Sequence, residues 1–98
     1  MPDPRSLKNR LALATNMWRD ATDEPLPKLP PGDPAVQIER FELALVDLLC
    51  SEATPATARG VAEQTWDLVE ERPDSDPVKQ RVMECHEALA KLAAGEPG

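Results

Sequence analysis

Apolar residues recur at intervals of three and four along four stretches of this chain. The first stretch carries Leu7, Leu11, Ala14 and Trp18, widened by Leu13 and Met17, and the second carries Ile38, Phe41, Leu45, Leu48 and Leu49. The third shows Ala58, Val61, Ala62, Thr65, Leu68 and Val69, and the fourth Val78, Val82, Cys85, Leu89 and Leu92. Side chains three and four apart share one side of a helix, so each stretch reads as an amphipathic helix that must bury its stripe. The alternating four-three spacing of the last stretch is that of a helix lying along a bundle.

Local punctuation sets the boundaries. Asp3-Pro4, Asp33-Pro34, Thr54-Pro55 and Asp76-Pro77 each place a capping oxygen directly before a proline. Proline suits the first helical position because its missing N–H would be unpaired there anyway. The residue before it can accept bonds from the first-turn N–H groups, and an acidic cap also meets the positive end of the helix dipole. Pro73 drives Arg72 out of helical geometry, and Gly95 suits a C-terminal cap. These signs predict helices over about 4–21, 34–52, 55–72 and 77–94, with a Glu-Pro-Gly tail at the very end that frays.

The connections predict an all-α four-helix bundle. Short links make the second, third and fourth helices antiparallel neighbours running up-down-up. The Pro-rich connection over 22–33 is long: extended at ~3.1 Å per residue it spans nearly 40 Å, against ~25 Å for a helix of about 17 residues. The first helix can therefore return along its own bundle or join that of another copy. The P-x-x-P spacing within "PLPKLPP" can enter an aromatic groove, but a strap held across the bundle by Leu26 and Leu29 is the simpler role.

The second helix raises a further expectation. Beside its main stripe it holds Val36, Leu43, Val46 and Cys50 on another side, with Glu39 and Asp47 nearby. A helix apolar on two faces must bury both, under the proline strap or in a homodimer or partner interface.

Composition fits one domain, 1–98. The chain is 98 residues, 41% apolar and 30% charged, with three aromatic residues and no Tyr, so Leu, Val and Ala supply most of the core. Four basic residues face two acidic ones over residues 1–20, a net +2, which leaves seven basic against sixteen acidic over the rest, a net −9. That balance repels nucleic acid and attracts a cationic protein surface. The charged N-terminal residues lack the apolar segment of a secretory signal. The longest apolar run, Leu43 to Val46, breaks at Asp47, too short to span a membrane. A cytoplasmic protein with reduced cysteines is expected.

The chemistry is sparse. Glu63, Asp67, Glu70 and Glu71 fall on the outward side of the third helix, where like charges four apart cost a few tenths of a kcal/mol per pair. They form either a solvated face or a docking patch for a basic partner. Gly60 falls on the same side, marking a close approach or a late helix start. Cys85 and His86 are adjacent, so their side chains diverge by about 100° instead of chelating from one face. With Cys50 they still lack a fourth ligand for zinc. No nucleophile elbow, phosphate-binding loop or paired metal-ligand motif is present, and no catalytic residue, metal or cofactor is assigned. The expected function is a small acidic, non-enzymatic protein–protein interaction module, of adaptor, regulator or inhibitor type, that self-associates. The alternative is a ligand- or metal-binding regulatory domain using Cys85 and His86.

Overall fold

A computed structural model describes residues 6–28 and 31–95. It is all-helical, with four helices and no strand among the described residues: α1 (Leu7–Ala21), α2 (Pro34–Glu52), α3 (Ala58–Val69) and α4 (Pro77–Ala94). The expected cap at Asp3, the strap residue Leu29 and the C-terminal Glu-Pro-Gly lie outside the described residues. Contacts group the chain into two compact units, Met1–Leu45 and Val46–Gly98.

In the first unit, Ser6 caps α1 by accepting from the Asn9 amide at 3.3 Å. The buried residues of α1 are Ala14, Met17 and Trp18, while Leu7, Leu11 and Leu13 stay exposed. This corrects the expected stripe. The inward line is rotated onto Arg10, Ala14 and Met17, because the Arg10 guanidinium binds the fully buried Glu42 carboxylate through two nitrogens. Such a bidentate pair is charge-assisted and directional. Trp18 meets Phe41 edge to face at 6.0 Å, and its indole N–H donates to the Glu24 carbonyl at 3.2 Å. That bond ties the chain leaving α1 back onto the helix. Residues 22–28 are neither helix nor strand, and Leu26 is exposed rather than packed down as a strap.

α2 begins where Asp33-Pro34 places it, with the Asp33 carboxylate accepting from Ala35 N–H at 2.9 Å. Its buried positions are Ile38, Phe41, Glu42, Leu45, Val46 and Leu49. These follow the 3,4 rhythm of one broad inward stripe. Of the residues expected on a second face, Val46 is fully buried, Leu43 and Cys50 are half-buried, and Val36 is exposed.

In the second unit, α3 starts later than Thr54-Pro55 predicts. The hydroxyls of Thr54 and Thr57 lie 3.1 Å apart and each takes up a backbone amide of the other residue, closing a turn before the helix begins at Ala58. Ser/Thr side chains compete with helical backbone bonds in this way. Gly60 faces open space, so it marks no close approach within the chain. α3 ends at Val69, before the expected stop at Arg72, and Arg72 N–H closes a turn onto the Val69 carbonyl.

α4 keeps its predicted bounds. The Asp76 carboxylate accepts from the amides of Val78 and Lys79 at 2.8 and 3.2 Å, with Pro77 in the first turn. Gly95 is the C-cap, though in right-handed geometry at φ −80°. α3 and α4 pack on one another, burying Ala58, Thr65, Leu68 and Val69 of α3 and Val78, Val82, Cys85 and Leu89 of α4. Each fully buried Val or Leu contributes roughly 1.5–3 kcal/mol relative to exposure. The Thr65 hydroxyl is buried without penalty because it donates to the carbonyls of Val61 and Ala62, 2.9 and 3.1 Å away.

Candidate functional site

Lys79 shows how α4 is fixed to the end of α3. It is buried in the first turn of α4, where the positive helix end disfavours a cation. Its ammonium reaches the Arg72 carbonyl at 2.8 Å and the Glu70 carbonyl at 3.5 Å, just past the C-terminal end of α3. The same ammonium lies 5.3 Å from the centre of the Trp66 ring and 3.2 Å from Asp74. The His86 ring also lies against Trp66, 5.7 Å away and tilted by 51°. His86 Nε2 is 2.8 Å from the Ala62 carbonyl, so it carries the proton and donates. This cluster sets the register of α3 on α4.

With that register fixed, Glu63, Asp67, Glu70 and Glu71 are all exposed. No ion pair joins any of the four carboxylates to the described residues, although Asp47, Asp74, Asp76 and Glu84 each have a cationic partner. Glu63 stands at the lip of a groove of about 440 Å³ between the start of α3 and the end of α4. The groove is floored by Ala62, Leu89, Ala90 and Ala93, with His86 in its wall. Arg59 also lines the groove, and of the four carboxylates Glu63 alone does; an apolar floor with a carboxylate at its edge suits a basic segment carrying a small apolar side chain.

A second crevice, about 400 Å³, lies between the last turn of α2 and α4 and is lined by Asp47, Cys50, Arg81, Glu84 and Cys85. Arg81 bridges two carboxylates, Nε to Asp47 at 2.7 Å and a terminal nitrogen to Glu84 at 3.2 Å. The Asp47 hydrogen bond, then its charge, holds the guanidinium still more firmly protonated than usual. Both cysteines are free thiols. The Cys50 thiol is pushed up to about 12, first by burial and then by its contact with Cys85, with Asp47 adding and Arg81 opposing.

Cys85 and His86 thus open onto different cavities, as their adjacency on a helix requires. Sequence reasoning considered Cys50 together with Cys85 and His86; the two cysteines line one crevice, and His86 lines the other. Among the described residues no group of three or more His, Cys, Asp or Glu is placed to hold a metal ion. Likewise no helix there is long and apolar enough to cross a membrane. Val36 and Leu43 lie in the first unit and Val46 and Cys50 in the second. No family model matches this chain, and neither does any curated protein or any solved structure.

Proposed function

We propose that this chain is a small acidic, non-enzymatic interaction module of adaptor, regulator or inhibitor type. It binds a protein with a basic surface through Glu63 and Asp67 of α3, Glu70 and Glu71 just past its end, and the apolar groove that Glu63 borders. In this reading the four helices act as one bundle, with α2, α3 and α4 running up-down-up and the Pro-rich connection crossing between α1 and α2, and the protein works in the cytoplasm. The observation that carries the reading is the position of Glu63, exposed, in no ion pair with the described residues, at the lip of an apolar groove and followed by three more exposed carboxylates.

The test is capture of binding proteins from the native host by the wild type and by a variant carrying Glu63→Gln, Asp67→Asn, Glu70→Gln and Glu71→Gln. The expected result is a partner held by the wild type, lost from the variant, and released as salt rises past about 0.15 M, where screening sets in over roughly 8 Å. A partner retained equally by both, at any salt, overturns the assignment of this face.

Self-association belongs to the same reading, but its surface moves. Val46 is fully buried, so a charge there tests folding rather than assembly. The exposed Leu7 and Leu11 of α1, one turn apart, are the better candidates. Light scattering should give a dimer mass for the wild type and a monomer for Leu7→Glu/Leu11→Glu. A wild type that stays monomeric at high concentration removes the homodimer.

A further inference from the structure

We propose that Cys50 and Cys85 form a redox latch, a dithiol that closes into an intramolecular disulfide joining the last turn of α2 to the middle of α4. The geometry of this pair carries the proposal: both thiols are free and line one crevice, Cys50 from α2 and Cys85 from α4. The crevice opens to solvent on the Cys50 side, since Cys50 is half-buried while Cys85 is only 7% exposed. An oxidant therefore meets Cys50 first.

The oxidant is a small-molecule disulfide of the glutathione type. The Cys50 thiolate attacks one sulfur of that disulfide, a mixed disulfide forms at Cys50, and one small thiol leaves. The Cys85 thiolate then attacks the Cys50 sulfur and releases the second small thiol. Two protein S–H bonds and the oxidant's S–S bond are lost, and one protein S–S bond and two small S–H bonds are formed. Two electrons pass to the oxidant, and both protein protons end on the released thiols.

The surroundings set the speed. The charged and titratable groups facing Cys50 are Asp47 on its own helix and Arg81, Glu84 and Cys85 on α4. Arg81 is the one cation among them, and it is already engaged by both carboxylates. With the Cys50 thiol pushed up to about 12, its thiolate is scarce near neutrality. The latch consequently closes slowly, in response to sustained oxidising conditions, and faster as pH rises. Once closed, it locks the loop that carries all of α3, and with it the acidic row and the groove.

The test uses the full chain, reduced and then incubated with oxidised glutathione, followed by acid quench, intact mass and peptide mapping. The expected product is a monomer lighter by two hydrogens with Cys50 joined to Cys85, forming about tenfold faster per pH unit between roughly pH 7 and pH 9. Cys85→Ser should stop at a mixed disulfide on Cys50, and Cys50→Ser should leave Cys85 largely unreacted. The closed form should melt about 10 °C or more above the reduced form and return on treatment with dithiothreitol. Disulfides only between chains, a mixed disulfide persisting on Cys50 of the wild type, or thiols that react only in urea would each overturn the proposal.

Discussion

Replacing Lys79 by Met separates the work of the ammonium from that of its stem, because Met fills a similar volume without a charge. The structure gives Lys79 four contacts of unequal worth. The bond to the Arg72 carbonyl at 2.8 Å is a full charge-assisted bond, about 1.5–3 kcal/mol. The 3.5 Å approach to the Glu70 carbonyl sits at the limit of a hydrogen bond and adds little. The Trp66 face at 5.3 Å contributes about 0.5–1 kcal/mol. The Asp74 carboxylate is close at 3.2 Å, but its side chain is 92% exposed, so water and ions leave it at most about 0.5 kcal/mol. Met recovers part of the loss through its apolar stem, and the freed carbonyls lie near a turn that water can reach. The net cost should be about 2 kcal/mol. For a domain of this size that lowers Tm by roughly 8–16 °C. Urea unfolding followed by circular dichroism should show the midpoint falling with the slope unchanged. Asp74→Asn is the control and should move stability by less than about 0.5 kcal/mol. The reasoning fails if Lys79→Met stays within that margin, or if Asp74→Asn costs as much.

Two further outcomes are expected. Asp76→Ala removes the acceptor of the Val78 and Lys79 amides and should cost about 1 kcal/mol, read by the same urea titration, with the more distant Arg72 contact at 3.8 Å adding little. The Cys50 thiol is raised from 9.0 to about 12 in the folded chain, so above pH 9 the unfolded state gives up a proton that the folded state retains. Its contribution to stability is thus intact below about pH 9 and is lost as pH climbs toward 12. The reduced wild type should lose stability over that window more steeply than Cys50→Ser, and matching slopes would refute the shift.

The helix starts at Asp33-Pro34 and Asp76-Pro77 were legible because the cap, the proline and the first-turn amides lie within four residues of one another. The same sign misled at Thr54-Pro55, where a second threonine offered the backbone a turn instead. Burial of Val82, Cys85 and Leu89 followed from spacing alone. Burial of Glu42 and Lys79 did not, since a charged residue enters a core only where a partner awaits it, and spacing says nothing about partners. Arg10, thirty-two positions from Glu42, redirected the inward side of α1 and left Leu7 and Leu11 outside. Val46, expected on a second face of α2, is buried in line with the main stripe. The carboxylate row of α3 was visible as a pattern, whereas the groove beside it required the register of α3 on α4.

The Lys79 clamp also bears on the order in which the second unit assembles. Its carbonyl bonds span seven and nine residues, whereas the Arg81–Asp47 pair closes thirty-four. Closing the shorter loop costs roughly 1 kcal/mol less chain entropy. The α3–α4 hairpin should therefore form in the folding transition state, with the end of α2 docking afterwards. In stopped-flow measurements Lys79→Met should chiefly slow folding, and Arg81→Ala should chiefly speed unfolding. The turn that holds two helices in register would then also be the place where the fold begins.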